Sequence, residues 1–527
     1  MSSLYRNPVL NADWPDPDAI RVGETYYLVA SSGNRTPGLP VLRSPDLLDW
    51  ELVARALPAL APAEHFDLPR HGAGVWAPAI RHHAGLFWIF YPDPDRGIFV
   101  LTAEDPAGPW SDPWPLLSGL GLIDPCPLWD DDGRAWLVFA WAKSRSGVNN
   151  RLSMVEISPD ARTVLGPPAT VIDGDALPGY SILEGPKLYK RDGWYWIFAP
   201  AGGVAGGWQS AFRSRSVLGP YEGRIVLAQG DTPVNGPHQG AWVTSPEGED
   251  WFLHFQERPP FGRVLHLQPL QWGDDGWPVI GDEGRPVLEH PVPARALHGQ
   301  PAHPAQSESF RDTHLGPQWY WQANPDPGWL TLAGDGIARL RAVPNDLGNL
   351  RTIPQILGRQ LHGDPSDLTT SLHLDATDPG TRAGLVVLGE NYAYVGLTRE
   401  ADGTRVEART YTPGEGETVR FSAPVPGPAT RVQLRVSSTD EGLCTFRFRT
   451  TPGGEWTTAL DGFQALPALW TSAELGLFAT APPGTPGTGQ AFFGAVGAPE
   501  KAVREPRPLL DTGSAPHVGV TERSIRR

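Results

Sequence analysis

A glycine turn followed by an aromatic-rich strand recurs five times in the first half of this chain, and few folds accommodate such a repeat. The instances are Gly23-Glu-Thr-Tyr-Tyr-Leu-Val, Gly85-Leu-Phe-Trp-Ile-Phe-Tyr, Gly133-Arg-Ala-Trp-Leu-Val-Phe, Gly193-Trp-Tyr-Trp-Ile-Phe and Gly248-Glu-Asp-Trp-Phe-Leu-His-Phe. Their glycines are separated by 62, 48, 60 and 55 positions. A recurrence of this size, built from strands alone, predicts propeller blades of about four strands each. The near-continuous apolar runs suit strands packed on both faces between neighbouring blades. Ser44-Pro-Asp-Leu-Leu-Asp-Trp50, Gly108-Pro-Trp110 and Gly219-Pro-Tyr221 echo the repeat as turns with an aromatic anchor toward a blade's outer edge.

Composition agrees with an all-β chain. There are 60 Gly and 57 Pro among 527 residues, a density that long helices tolerate badly and tight turns require. Hydrophobic residues still make up 40 %, with 21 Trp, so the chain has the means to build cores. The net charge of −16 sets nucleic acid aside as a partner, because an acidic surface repels phosphate. No run approaches 18 consecutive apolar residues, so no membrane span is expected. The N-terminal segment lacks the apolar stretch of a signal peptide, and the chain is read as cytoplasmic. Two distant cysteines, Cys126 and Cys444, indicate neither a disulfide framework nor a thiolate metal site.

The pattern divides the chain. Residues 1–285 are expected to form a five-bladed β-propeller, and residues 286–306, rich in Pro, His and Ala, a linker. From Phe310 the strands alternate polar with apolar, as in Ile337-Ala-Arg-Leu-Arg-Ala and Arg431-Val-Gln-Leu-Arg-Val, so residues 307–499 are expected to form a two-sheet β-sandwich. Residues 500–527 are polar and non-periodic, and are read as a loosely held tail.

Three carboxylates stand just before or within the inner region of different blades. Asp16 lies in Trp14-Pro-Asp16-Pro, Asp124 in Ile123-Asp124-Pro-Cys-Pro, and Glu184 in Leu183-Glu184-Gly-Pro-Lys-Leu. Asp-Pro also marks ordinary turns, and Asp130, Asp131 and Asp132 are read as turn residues only. Equivalent placement in three blades is what makes the first three a set. Converging on one axis in apolar surroundings, they would push their pKa values apart and supply one base and one acid. Hydrolysis of a glycosidic bond by two carboxyl groups requires that pair.

The segments Asn7-Pro-Val-Leu, Pro15-Asp16-Pro, Gly74-Val-Trp76-Ala-Pro, Ile123-Asp124-Pro, Glu184-Gly-Pro-Lys-Leu, His238-Gln-Gly-Ala-Trp, Gly262-Arg263 and Gly276-Trp-Pro-Val resemble, in order, the motifs of glycoside hydrolase family 43. The resemblance extends to the β-xylosidases and α-L-arabinofuranosidases of that family, which carry a concanavalin-like β-sandwich downstream. It implies an exo-acting, inverting enzyme that releases terminal xylose or arabinofuranose from plant cell-wall oligosaccharides. Asp16 would be the general base, Glu184 the general acid, and Asp124 the residue that raises the acid's pKa and orients it. Inversion asks for a separation of about 6.5–9.5 Å between base and acid, leaving room for water. Arg263 is the expected guanidinium of the pocket, Trp76 and Trp141 its apolar walls, and His238 an axial contact. No organic cofactor is implied; a calcium ion beside His238 is the one metal the resemblance leaves open. Cys126 is read as a small buried side chain, and the segment from Ser32 to Pro40 carries no clue to substrate.

Other readings are an arabinan- or galactan-acting hydrolase of the same fold, a fructan-acting hydrolase, and a non-catalytic carbohydrate-binding protein. Fructan-acting enzymes carry an Asn-Asp-Pro-Asn segment, an Arg-Asp-Pro and a Glu-Cys, which are absent here. A lectin for neutral sugars has no need of three buried acids.

Overall fold

The five repeats are the second strands of five four-stranded antiparallel sheets, and the repeated glycines form the turns that lead into them. The computed structural model describes residues 3–301, 304, 307–345, 349–425, 427 and 431–497. Blade 1 comprises Asp18–Val22, Thr25–Val29, Gly38–Ser44 and Glu51–Leu57, and blade 2 comprises Ala79–His83, Leu86–Asp93, Gly97–Ala103 and Trp114–Ser118. Blade 3 follows with Leu122–Trp129, Ala135–Trp141, Arg151–Ile157 and Ala169–Asp173. Blade 4 holds Lys187–Arg191, Trp194–Ala201, Trp208–Ser214 and Glu222–Ala228, and blade 5 holds His238–Thr244, Asp250–Glu257, Arg263–Trp272 and Pro278–Ile280. Strands pair in sequence order within each blade, and the first strands of neighbouring blades adjoin around the axis.

Gly23, Gly85, Gly133, Gly193 and Gly248 all have positive φ, between 61° and 89°. Side chains with a Cβ rarely adopt that conformation, so the repeat's glycine is a requirement of the turn between first and second strands. The strand that follows buries alternate residues in opposite wedges. In blade 3, Leu137 and Phe139 pack toward blade 2 with Phe90 and Val100, while Val138 and Ala140 pack toward blade 4 with Ile197 and Phe212. The same alternation fills the wedges between blades 1 and 2, 4 and 5, and 5 and 1. Both faces of each inner strand are therefore core, as the apolar runs predict.

The ring closes where blade 5 meets blade 1. The N-terminal segment assists: Leu10 bridges to Leu265, and Leu4–Arg6 pairs with Glu289–Pro291, within the stretch expected to be linker.

The second half is a two-layer sandwich. One sheet runs in the order Tyr320–Trp321, Ile356–Gln360, Glu474–Ala481, Arg382–Leu388, Tyr392–Glu400, Gly403–Thr412 and Gly416–Pro424, with Val343–Pro344 added in parallel to Glu474–Ala481. The other runs Leu330–Leu332, Ala338–Arg341, Gln490–Phe493, Ser366–Asp375, Val432–Ser438, Leu443–Arg449 and Thr457–Gln464. Phe261 and Val264 of the propeller pack into the sandwich core, so the two halves share apolar contact. The tail from residue 500 lies outside the described residues.

Candidate active site

The backbone turns the three carboxylates toward one cavity. Asp16, two residues before blade 1, has φ 53°, and Asp124 has φ 56°. Non-glycine residues rarely occupy this left-handed region, at a cost of roughly 1–3 kcal/mol each. At Asp124 the cause is visible: the pairing of Leu122–Trp129 with Ala135–Trp141 slips between Ile123 and Cys126, a bulge that re-aims the side chain. A second bulge, between His238 and Gly240, places Gln239 at φ 36°. Glu184 sits between Ile182 (φ 51°) and Gly185 (φ 60°), and its N–H donates to Pro200 O at 3.2 Å.

Asp16, Asp124 and Glu184 line a single cavity of about 510 Å³, together with Trp76, Trp141 and Arg263. All three sequence-predicted acids and three of the four other predicted residues therefore meet. His238 does not line the cavity; it is buried behind Glu184, with Nε2 3.2 Å from Glu184 Oε1. Asp16 accepts on both oxygens, from Arg263 Nη1 on Oδ1 and from Ser31 Oγ at 2.5 Å on Oδ2. That is the bonding pattern of a carboxylate placed to take a proton from a third partner. Asp124 Oδ2 accepts the N–H of Gly185 at 2.8 Å, tying it to the residue after Glu184. Trp141 is fixed by a bond from Nε1 to Ser153 Oγ at 2.9 Å.

Burial raises the Asp124 carboxyl well above the usual range, and the charge of Glu184 adds to the rise; the Gly185 N–H only partly offsets them. The difference in setting is solvent: Asp124 is buried, while the Glu184 side chain keeps 26 % of its surface exposed. Burial works against the Arg263 charge, but Asp16, Glu257, Asp13 and Glu184 together outweigh it and leave the guanidinium more firmly protonated than usual.

Below the acids lies a charged floor. Arg81 donates to Asp18 at 2.6 Å, and Lys187, fully buried, donates to Pro78 O at 2.9 Å with Asp18 3.9 Å away. Cys126 is buried as expected, and its sulfur also accepts from the Leu188 N–H at 3.2 Å. The calcium expectation can be tested on His238, whose buried Nδ1 has no hydrogen-bond partner. Calcium takes six to eight oxygen ligands. Among the described residues no group of three His, Cys, Asp or Glu could hold a metal. A calcium ion there would have to draw most of its ligands from carbonyl oxygens and water.

Several cavity residues carry no motif. Ser31 follows the first repeat, and Ser32–Arg35, set aside as uninformative, form one wall; Gln239 lies within the His238-Gln-Gly-Ala-Trp segment, with no role expected of it. The sandwich supplies Gln322, Ala468–Thr471 and Glu474. Trp470, 44 % exposed and at φ 61°, meets Trp76 edge-on with ring centroids 5.0 Å apart. Their only sequence signal would have been proximity in the folded chain.

The cavity is apolar-walled, with an acceptor carboxylate and a partly exposed second one, which suits acid–base attack of water on a bound sugar. Comparisons with known proteins agree. The sequence model described as "Glycosyl hydrolases family 43" matches residues 5–278, and that of the "Beta xylosidase C-terminal Concanavalin A-like domain" matches residues 307–496. A putative beta-xylosidase of Xylanibacter ruminicola is 39 % identical over 76 % of this chain and 74 % of its own length. A xylosidase/arabinosidase of Humicola insolens is 30 % identical over 76 % and 78 %. The crystal structure of a xylan beta-1,4-xylosidase from Bacillus halodurans superposes with a TM-score of 0.81 at 25 % identity, covering 93 % of this chain and 99 % of that one. A five-bladed propeller with three axial carboxylates, followed by a concanavalin-like sandwich, thus coincides with family matches on both halves: this chain belongs to glycosyl hydrolases family 43.

Proposed function

We propose that this glycosidase removes single xylose or arabinofuranose units from the ends of plant cell-wall oligosaccharides, with inversion of configuration. Asp16 acts as the base on water, Glu184 protonates the leaving oxygen, and Asp124 tunes and orients Glu184. The observation that carries this reading is the convergence of Asp16, Asp124 and Glu184 in a cavity that the sandwich residues 468–471 also line. A pocket walled by both halves of the chain suits a terminal sugar better than a polymer running through.

The geometry supports a task for each residue. Arg263 and Ser31 hold Asp16 by its two oxygens, so its remaining lone pairs face the cavity. Asp124, buried and bonded to the N–H of Gly185, orients the neighbouring Glu184. His238 steadies Glu184 from behind. Trp76 and Trp141 present apolar faces to the sugar ring. Among the described residues no helix is long and apolar enough to cross a membrane.

The test is a panel of p-nitrophenyl β-xyloside, α-arabinofuranoside and β-galactoside. Hydrolysis of the first or second is expected, with single sugars as products from xylan or arabinan fragments. Exclusive hydrolysis of the galactoside, or accumulation of long oligosaccharides, would contradict the reading.

A further inference from the structure

The segment Asn11-Ala-Asp-Trp14 threads between propeller and sandwich just before the catalytic Asp16, and one of its side chains touches both. Asp13 is buried, and its carboxylate accepts three hydrogen bonds. Arg263 N–H donates to Oδ1 at 3.0 Å; Arg35 Nη1 (3.0 Å) and the Ser472 N–H (2.9 Å) donate to Oδ2. Two of the donors, Arg35 and Arg263, line the cavity, and Ser472 follows the lining segment Ala468–Thr471. Arg263 is the residue whose guanidinium grips Asp16, and Trp14 N–H returns a bond to Arg263 O at 3.0 Å. Ser472 lies two residues after Trp470, directly after the sandwich segment that lines the cavity. Arg35, itself a lining residue, also faces Glu474 of the sandwich at 3.6 Å.

The surroundings are shaped to this contact. A Cβ on Gly262, which has φ 76°, would stand 2.1 Å from Asp13 Oδ1. The backbone on either side is tied to the sandwich as well: Gln360 donates to Asp13 O, Gly363 N–H donates to Asn11 O at 2.8 Å, and Asn11 Nδ2 donates to Asp364 at 2.9 Å.

We propose that Asp13 is a positioning residue for the reaction: its carboxylate locks the Arg263–Asp16 pair and the sandwich's Trp470–Ser472 segment into one arrangement. It touches neither sugar nor water and acts through Asp16 and Trp470. This rests on Asp16 being the base.

Only a carboxylate can do this, because all three partners are N–H donors on two oxygens. In Asp13→Asn one amide oxygen faces one side and an NH₂ opposes the N–H on the other. The side chain keeps its shape while one wall loses its anchor. A misplacement of about 1 Å at a reacting group costs about 100-fold in rate.

The experiment compares Asp13→Asn, Asp16→Asn and Glu184→Ala in the full chain, on the p-nitrophenyl and 2,4-dinitrophenyl forms of whichever pentoside is cleaved faster. A better leaving group relieves the need for the acid and leaves the need for the base. The Glu184→Ala deficit should shrink on the dinitrophenyl substrate, while Asp13→Asn should keep a kcat loss of about 100-fold on both. KM should rise too, and Trp470→Ala should change KM less in the Asp13→Asn background than alone, since both act through one segment. Gly262→Ala, which drives a methyl into Asp13, should reproduce the pattern and serves as the test if Asp13→Asn does not fold. Wild-type kcat and KM per folded molecule, or a deficit that vanishes with the better leaving group, would overturn the proposal. Wild-type rates for Asp16→Asn would instead sink the base assignment beneath it.

Discussion

The cavity has a floor and a rim, and the two are made differently. The floor is propeller: Asp16 and Asp124 stand at left-handed positions and Glu184 between two residues of positive φ, all beside proline or glycine, each fixed by a few residues of local sequence. The rim is sandwich: Ala468–Thr471 and Glu474 reach the cavity through strand pairing and docking set hundreds of residues away from the acids. Chemistry is thus placed on the part of the fold that packs on both faces and cannot shift, and the size of the substrate is set by the part that docks. Floor changes should alter the chemical step; rim changes should alter binding.

The largest effect belongs to the floor. Asp16→Asn and Glu184→Ala should each lower kcat by about 10³-fold, with little change in KM. Steady-state kinetics with fluorescence-checked folding measures this, and a KM effect without a kcat loss would erase the distinction drawn here. On the rim, Trp470→Ala should raise KM by about 3–10-fold, the worth of one aromatic contact, and leave kcat within about twofold. A large kcat loss there would mean that the sandwich takes part in the chemistry beyond shaping the site. Ser31→Ala, which removes one of the two donors on Asp16, should cost about 10-fold in kcat.

The smallest expected effect is on stability. Asp124 binds a proton more readily in the fold than in the unfolded chain, because burial and Glu184 oppose its charge. The stability this brings is complete below the usual carboxylate range and is lost as pH rises through the raised value. Asp124→Asn has no proton to lose. Its stability relative to wild type should therefore increase from pH 4 to pH 8 in urea unfolding, while its activity falls. A difference that stays flat with pH would mean that Asp124 ionises freely in the fold.

What could be read from the sequence follows the same division. The glycines at 23, 85, 133, 193 and 248 announce the blades because a positive-φ turn tolerates little else. Asp16, Asp124 and Glu184 are legible because their stiff Pro and Gly-Pro contexts are local, and Arg263, Trp76 and Trp141 come with the segments around them. Asp13 lay three residues from Asp16 in a segment already under scrutiny, and still gave no sign. Its partners Arg35, Arg263 and Ser472 are scattered over the chain, and only folding brings them together. Trp470 and Glu474 escaped for the same reason. The rise at the Asp124 carboxyl also depended on burial in the fold, which no local pattern encodes.

The central claim is that Asp16 and Glu184 act on opposite sides of the scissile bond with a water between them. Proton NMR of the sugar first released from a β-xyloside tests it most directly. The account predicts α-xylose in the earliest spectra, with the β anomer growing in only at the rate of mutarotation. β-Xylose appearing first would contradict it.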